Sequence, residues 1–441
     1  MRPHTVRLRL PDAYPNWLAG GHGIGSTVGA RALHRCRAAA LIEAEATAAG
    51  RPEPAPGQPA VFIGAGRYRR HSYGGNHPLG IPRVSLTQDL IVAYGALRPH
   101  ELLPARAATV AQLSWFHDPE YVAAMQRCQA LGKVPHGYRQ RHNIGNFENP
   151  YFDGFFTTPA TATGGSIQGA EAVLAGQVAF NPAGGMHHAM PDQARGFCFF
   201  NDPVLAILRF RQAGMRVLYV DVDAHHGDGV EYAFRDHPEV ITFSVHMDTE
   251  YAYPFVGGRI EDCGQRGNAV NLPLPPGVND CEYRALFRQI WPRLLVAATP
   301  DVVVLQAGTD ALSPDPLGKF NLSNRFYLQL VREIMLGAPT DAHGTPRLLV
   351  TGGGGYHPLA LARCWTGVWA VLSGRRLPIA LPRSGVDLLR AVDWDMDEDE
   401  DYFPAFFRGR LDGPNAGPVR PEVLDRTRRL IQQHPLFGGT R

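Results

Sequence analysis

The stretch MRVLYVDVDAHHGDG (215–229) decides how this chain of 441 residues folds. It follows a helix-like pattern, PVLAILRFRQAG (203–214), and it begins with a continuous apolar run that predicts a buried strand. Three aspartates and two adjacent histidines follow within a few residues. Because the functional loops of parallel sheets lie at the carboxyl ends of the strands, this concentration of ionisable groups predicts a site at that edge.

The same succession of strand, loop and helix patterns continues along the chain. Continuous apolar runs predict strands at 178–181, 217–223, 240–245, 302–308 and 348–353. A second helical pattern covers 281–298. Strands that are apolar throughout are typical of a parallel sheet buried on both faces. We therefore predict an α/β fold: a single large domain with a central, mostly parallel sheet flanked by helices on both faces.

The composition changes at both ends of this predicted domain, which we place at 61–410. Residues 1–60 contain an alanine-rich stretch and the proline-rich run RPEPAPGQP, and we interpret them as an N-terminal extension. Residues 411–441 are expected to form a helical C-terminal segment packed on the domain. The acidic run WDMDEDEDYFP (394–404) is expected to be a solvated surface segment.

The overall composition is that of a globular protein without an extreme charge. The formal net charge is +2 at pH 7, so nothing indicates a nucleic-acid partner. The six cysteines lack CxxC spacing, which favours reduced thiols over a disulfide framework. The sequence has no apolar run of about 18 residues and no apolar leader, so we expect a cytoplasmic protein without a membrane partner.

The first candidate site is a metal centre built on the opening stretch. Asp223 and His225 offer an oxygen and a nitrogen ligand after a predicted strand, and Asp310 follows another predicted strand in the same way. A divalent metal such as zinc accepts this mixed set, and catalytic zinc commonly has three protein ligands and an open position. An isolated Asp-x-His is more typical of a surface turn, but the second strand-end aspartate favours the metal centre.

The second candidate is a pair of histidines. His187 and His188 follow a Gly-Gly turn in GGMHHAMPDQARGFCFFNDP (184–203). Imidazoles beside a metal can act as general base and general acid, and each needs a carboxylate to fix its tautomer. Asp221 and Asp228 are left over from the metal set and are candidates for this role. The alternative is a structural, hydrogen-bonded histidine pair.

The third candidate is the glycine-rich turn in LLVTGGGGYHPLALARCW (348–365). The spacing is not GxGxxG, and no acidic residue follows at the distance that a ribose requires, so a dinucleotide loop is not indicated. Tandem glycines let the backbone approach a ligand closely, and Tyr356 would then donate a hydrogen bond to a developing oxyanion. The alternative is a tight turn with a packing tyrosine.

These motifs together resemble the zinc-dependent histone deacetylase family, and most closely its bacterial acetoin-utilisation branch. The resemblance covers about residues 61–410, and it implies the arginase/deacetylase fold. It rests on GGMHHAMPDQARGFCFFND, YVDVDAHHGDGVEYAF, ITFSVH, LQAGTDALSPDPLGKFNLS and GGGGY. HSYGGNHPLGIPR (71–83) and NPYFDGFF (149–156) match more loosely.

The resemblance implies a role for individual positions. Zinc is implied on three residues: Asp223, His225 and Asp310. Catalytic roles are implied for five: His187, paired with Asp221; His188, paired with Asp228; and Tyr356, which polarises the substrate carbonyl. A substrate tunnel and its rim are implied at Glu148, Gly196, Phe197, Tyr253, Leu317 and Gly354.

The resemblance also implies bound cations and a product path. A structural potassium is implied on the Ser244 hydroxyl and on the backbone oxygens of Asp221, Asp223, His225 and Val245. A second potassium site is implied around Phe234, His237, Val240 and Asn268. Arg83 matches a buried arginine that lines a product-exit path in relatives.

Three positions depart from the pattern of the family. Met186 stands where many relatives have tryptophan, and Tyr253 stands where the tunnel wall is usually phenylalanine. Glu148 aligns with the aspartate that grips the substrate backbone at the rim. These changes leave the chemistry intact and leave the acyl-chain preference open.

The reaction that the resemblance implies is hydrolysis of an N-acetyl amide, which releases acetate and a free amine. Acetyl-lysine in a protein, an acetylated polyamine and a small acyl amide present the same scissile group, so an acetylpolyamine amidohydrolase is the main alternative. Arginase-like ureohydrolases have a similar sheet but use two manganese ions, and the tandem histidines with GGGGY favour the one-zinc enzyme. A non-enzymatic acyl-lysine-binding module would be expected to have lost a ligand or the tyrosine.

Overall fold

The computed structural model describes residues 59–438 apart from 70–72, 75–76 and 394–402. The predicted extension before residue 59 and most of the acidic run therefore lie outside the described residues. One sheet is formed by β1 (Ala60–Gly64), β2 (Leu102–Pro104), β3 (Val178–Asn181), β4 (Val217–Asp221), β5 (Val240–Met247), β6 (Ala269–Leu274), β7 (Val302–Gln306) and β8 (Leu348–Thr351). The strand order is β2-β1-β3-β8-β7-β4-β5-β6, and all neighbours pair in parallel.

This topology confirms the predicted α/β fold with a parallel sheet. The apolar runs predicted five of the eight strands and missed β1 and the two edge strands, β2 and β6. β2 has three residues and is only partly buried. β6 is interrupted by Asn271 and Pro273, and proline is tolerated in a sheet mainly on an edge strand.

Three predicted strands run past the point where the sheet ends. β4 ends at Asp221, β7 at Gln306 and β8 at Thr351. The polar residues that follow turn out of the ladder and bond to one another; for example, the Gly354 N–H donates to Asp223 Oδ2 at 2.8 Å. Asp223 therefore lies in a loop above the sheet rather than on a strand.

The α-helices are α1 (Arg83–Ala93), α2 (Val110–Leu113), α3 (Pro119–Leu131), α4 (His136–His142), α5 (Thr157–Leu174), α6 (Asp202–Gln212), α7 (Asp228–Phe234), α8 (Asp280–Ala298), α9 (Asn324–Gly337), α10 (Pro358–Leu372), α11 (Arg383–Arg390), α12 (Phe403–Phe406) and α13 (Pro421–Gln433). Short 3₁₀ helices lie at Gly66–Arg69, Pro78–Gly80, Pro99–Glu101 and Pro435–Phe437. α6 and α8 coincide with the two predicted helical patterns. None of the helices in the described part of the chain combines the length and apolar character that crossing a membrane requires.

Helices cover both faces of the sheet, as predicted. Val220 and Leu305 belong to a core shared with α8, α9 and α10, whereas Tyr219 and Val304 belong to a core shared with α5, α6 and α7. Consecutive strand residues enter different cores because their side chains alternate between the faces. In the segment 411–441, α13 contributes Val423 to the first of these cores.

Candidate metal centre and catalytic site

The predicted site residues come from four strands that are consecutive in the sheet. The order β3-β8-β7-β4 brings together the loops that follow these strands. His187 and His188 follow β3, Tyr356 follows β8, and Asp310 follows β7. Asp221 is the last residue of β4, Asp223 and His225 lie in the loop that follows, and Asp228 is the first residue of α7. Residues that are up to about 170 positions apart in the chain thus meet at one carboxyl edge, where parallel sheets carry their ligand sites.

The three predicted zinc ligands form one buried cluster. Each of Asp223, His225 and Asp310 offers a ligand atom, and these atoms all lie within 4.8 Å of one another. His225 Nδ1 lies 2.9 Å from Asp310 Oδ2 and 3.2 Å from Asp223 Oδ1. Two carboxylates and one imidazole are a donor set that zinc accepts, so the residues present fit this metal.

Internal donors hold the other oxygen of each carboxylate. Asp223 Oδ2 accepts hydrogen bonds from Gln306 Nε2 at 2.7 Å and from the Gly354 N–H at 2.8 Å. Asp310 Oδ1 accepts one from the Ala224 N–H at 2.8 Å. Because these contacts fix the orientation of both carboxylates, one oxygen of each is left facing His225.

The cluster is electrostatically suited to a cation. Burial and the Asp223 charge raise the pKa of Asp310 to about 8. Burial lowers the pKa of His225, but the two carboxylates outweigh it and raise that pKa to about 10. Both shifts show that the site stabilises added positive charge. A bound divalent metal would supply that charge.

The two histidines each contact a carboxylate. His187 Nδ1 lies 2.8 Å from Asp221 Oδ2, and His188 Nδ1 lies 2.7 Å from Asp228 Oδ1. These are the two pairs that the family resemblance implies. The Nε2 atoms of the two rings approach each other at 3.0 Å. Each imidazole is thus held at Nδ1, and its Nε2 faces the other ring.

The two pairs differ in their electrostatics. Burial lowers the pKa of His187, but the Asp221 and Asp223 carboxylates outweigh it and raise that pKa to about 9. Burial and the neighbouring His187 charge lower the pKa of His188 to about 4, against the opposing effect of Asp228. At neutral pH, therefore, His188 is the unprotonated imidazole of the two and can accept a proton.

Aromatic side chains lie beside the cluster. The rings of Phe197 and Tyr356 lie edge to face at 6.0 Å, and Leu317 packs against them. The Tyr253 ring lies 4.7 Å from that of His188. Burial, with the Asp310 and Asp223 charges, raises the pKa of Tyr356 well above its usual value, so its hydroxyl remains protonated and can donate.

Glycine is required at position 196. Gly196 has φ +53°, and a Cβ added there would lie 2.4 Å from His188 Cδ2. Its N–H donates to Glu148 Oε1 at 2.6 Å, and Glu148 Oε2 accepts from Asn143 Nδ2 at 3.1 Å. The structure thus places Glu148 against the chain's own backbone, and its grip on a substrate backbone stays a prediction.

The remaining predicted residues lie around this centre. Arg83 is buried and donates to the carbonyl of Gly353 at 2.7 Å. With Met186 it lines a cavity of about 90 Å³. Ser244 and Val245 lie on β5, where Ser244 stands opposite Asp221 in the parallel ladder.

Four residues at the site were not predicted from the sequence. Gln306 contacts Asp223 as described above, and Tyr219 donates to Asp221 Oδ2 at 2.6 Å. Arg195 Nη1 lies 3.1 Å from Asp228 Oδ2. Asp202 accepts hydrogen bonds from the N–H groups of the loop that carries the histidines. Gln306 and Tyr219 lie within apolar strands, and a polar residue inside such a run is the signal that would have found them.

The chain is similar to proteins of a known family. The profile of the family described as "Histone deacetylase domain" matches residues 77–372. Histone deacetylase 1 of Homo sapiens is 36% identical over 315 residues, which cover 70% of this chain and 64% of that protein. Histone deacetylase RPD3 of Saccharomyces cerevisiae is 37% identical over 302 residues, 67% of each chain. The chain spans less than two thirds of the length of the first curated relatives it matches.

Solved structures give the same result. The crystal structure of an HDAC homolog from Aquifex aeolicus has a TM-score of 0.80 and 39% sequence identity, and the match covers 85% of this chain and 100% of that one. An HDAC homolog complexed with SAHA matches equally well, with the same TM-score of 0.80.

Proposed function

The chain belongs to the histone deacetylase family, and from this premise we propose that it is a zinc-dependent deacetylase acting on acetyl-lysine in proteins or on a small acetylated amine. One observation carries the proposal. The Asp223–His225–Asp310 cluster lies beside an unprotonated imidazole, with the His188 ring 6.4 Å from the His225 ring. A metal-ligand set beside a general base is what metal-assisted hydrolysis of an amide requires.

The metal itself is assigned by the chemistry of its ligands. Asp223, His225 and Asp310 would hold zinc, which supplies a Lewis acid for the scissile carbonyl and lowers the pKa of water towards about 7. Gln306 and the Gly354 N–H hold the second oxygen of Asp223 and so keep the ligand in place.

The histidines carry the proton. His188 is unprotonated at neutral pH, and Asp228 holds its Nδ1, so its Nε2 accepts the proton of the attacking water. The same proton, or that of the neighbouring His187, then passes to the leaving amine. Because the two Nε2 atoms lie 3.0 Å apart, either ring can serve the same reacting atoms.

Tyr356 stabilises the charge that develops on the carbonyl oxygen. Its phenol is buried and protonated, and the Phe197 ring fixes one side of it. A hydrogen bond that forms only as the oxyanion develops lowers the barrier rather than strengthening ground-state binding. Phe197, Tyr253 and Gly196 would enclose the acyl-lysine stem.

We also infer a first structural potassium at the junction of β4 and β5. Asp221 and Ser244 lie directly opposite each other there, and the Ser244 hydroxyl lies 2.8 Å from His246 Nδ1. The resemblance implies that the Ser244 hydroxyl and the backbone oxygens of Asp221, Asp223, His225 and Val245 would hold this potassium. Its role would be to brace the loop that presents Asp223 and His225.

The proposal is tested by assaying the purified, zinc-loaded protein on acetyl-lysine peptides and acetylpolyamines in parallel. We expect release of acetate from at least one class and inhibition by SAHA, because a related protein is complexed with that compound. Failure to cleave either class at full zinc occupancy would contradict a deacetylase. Metal counting separates the alternative ureohydrolase, since two manganese ions per chain would support it and one zinc would not.

A further inference from the structure

Three backbone carbonyls converge at the place where the resemblance implies a second potassium. They belong to Phe234, His237 and Val240, and we call them the carbonyl cage. Phe234 is the last residue of α7, and Val240 is the first residue of β5. The side-chain nitrogen of Asn268 lies 2.8 Å, 3.1 Å and 2.9 Å from their oxygens, in that order.

An ion and an amide nitrogen cannot both occupy the centre of the same three oxygens. The Asn268 amide nitrogen fills the carbonyl cage, so these residues do not fit a second potassium. We propose that the Asn268 side chain replaces the second structural cation and that the cage binds none.

The orientation of this amide follows from its surroundings. Turning it over would place Oδ1 against three carbonyl oxygens, which repel it, so the nitrogen must face the cage. Asn268 is only 2% exposed, and its Oδ1 has no hydrogen-bond partner among the described residues. A buried, unpaired oxygen lowers the free energy of unfolding. The three hydrogen bonds from the nitrogen to the cage offset this loss.

The loop before Asn268 is shaped to admit the amide. Gly264 has φ +68°, and a Cβ added there would lie 2.8 Å from Asn268 Oδ1. The backbone of the same residue takes part in the sheet, since the Thr242 N–H donates to the Asn268 carbonyl at 2.9 Å. Asn268 therefore ties the start of β6 to the start of β5 and to the end of α7.

The cage matters to the site because of the helix that it ends. The Phe234 carbonyl at the end of α7 accepts the His237 N–H at 2.9 Å, and the Asn268 amide binds it as a second donor where the helix end carries partial negative charge. α7 begins at Asp228, the carboxylate that holds His188. An internal amide thus anchors the far end of this helix without a dissociable ion.

The direct test uses the wild-type chain. Crystals grown in KCl are transferred to a rubidium or thallium salt, and the anomalous difference map is inspected at the cage. We expect no peak within bonding distance of the three carbonyl oxygens, whether or not the site at Ser244 is occupied. A peak there, with the Asn268 amide turned away, would overturn the proposal.

A second test compares variants in solution. In Asn268→Ala the donor is lost and space is opened, so the cage should now take up potassium. The melting temperature of this variant should rise with KCl concentration more steeply than that of the wild type, with choline chloride as the ionic-strength control. Equal potassium dependence of the two proteins would count against the proposal.

A matched control removes the other cation site. Ser244→Ala should lose the potassium dependence that the wild type has, while Asn268→Ala should gain dependence. Neither measurement needs catalytic turnover, so a failure of the proposed deacetylase activity would leave this test unaffected.

Discussion

Oxygen atoms converge at two places in this molecule, and the chain treats them differently. At the metal centre, one oxygen each of Asp223 and Asp310 meets the His225 ring. Most internal donors bind the other oxygens, and only the His225 N–H also reaches a converging one, Asp223 Oδ1, at 3.0 Å. At the carbonyl cage, the Asn268 amide lies among the oxygens. The first arrangement leaves its converging oxygens for a cation, and the second supplies the positive end of a dipole from within.

This difference shows how a cation site can be read from hydrogen bonds. Buried oxygens are paired in folded proteins, so a group of them without internal donors indicates a ligand that the chain does not provide. Converging carboxylates indicate a cation more strongly than carbonyls do, because burial of an uncompensated charge costs far more free energy than burial of a carbonyl.

Breaking the metal centre should have the largest effect. In Asp310→Ala one of three ligands is lost, and zinc affinity should fall by more than about 100-fold, since even changes to outer partners of ligands cost about 10–100-fold. Zinc content after dialysis, measured by elemental analysis, reports this directly. Asp425→Ala, on an exposed face of α13, is the matched control and should retain its metal. Wild-type zinc content in Asp310→Ala would rule out this ligand.

Tyr356→Phe separates metal binding from catalysis. Removal of one oxyanion donor should lower kcat by about 10²–10³-fold, because the hydrogen bond is made in the transition state. The zinc content should stay unchanged, and KM should change little. Full turnover by this variant would exclude the phenol from catalysis.

Much of this edge of the sheet could be predicted because its signals are local. Asp221 and Asp223 stand at the end of an apolar run, and tandem histidines need no structure to be noticed. The parallel sheet was predicted correctly for the same reason. The edge strand β6 was missed because Asn271 and Pro273 interrupt its pattern.

The rest depends on conformations that one sequence does not reveal. The Asn268 amide lies against Gly264, which has a left-handed backbone and where an added Cβ would lie 2.8 Å from Asn268 Oδ1. Arg195 lies 33 positions before its partner Asp228, and nothing in its local sequence marks it. Tertiary packing sets the orientation of side chains in loops, so a sequence pattern does not predict which of them come into contact.

Asp202 is intermediate between the metal centre and the carbonyl cage, because it is a buried carboxylate whose two oxygens both accept internal hydrogen bonds. Oδ2 accepts from Ser166 Oγ at 2.5 Å and from the Gly185 N–H at 3.0 Å, and Oδ1 accepts from the Met186 N–H at 2.9 Å. Burial raises its pKa from 3.8 to about 6, although these hydrogen bonds oppose the shift. Internal donors therefore hold this acid without fully compensating its charge.

The sign of the resulting pH effect follows from linkage. Because the folded pKa of Asp202 is above the unfolded one, the unfolded state holds fewer protons between about pH 4 and pH 6, and stability falls as pH rises through that range. Relative to Asp202→Asn, which cannot ionise there, the wild type should lose about 3 kcal/mol. Urea unfolding of both proteins at intervals of pH measures the difference. Parallel curves would show that Asp202 does not titrate in this range.

Arg195 should give the smallest effect, because it acts on a carboxylate that has a second partner. Asp228 shares its oxygens between His188 Nδ1 at 2.7 Å and Arg195 Nη1 at 3.1 Å. In Arg195→Met the Asp228 charge acts on His188 without this competition, so the pKa of His188 should rise and the acidic limb of the kcat/KM profile should move to higher pH. We expect kcat to fall by about tenfold, the lower end of the range for outer partners. A loss of activity with an unmoved limb would mean that Arg195 only supports the loop, whereas a moved limb ties it to the proton-accepting histidine.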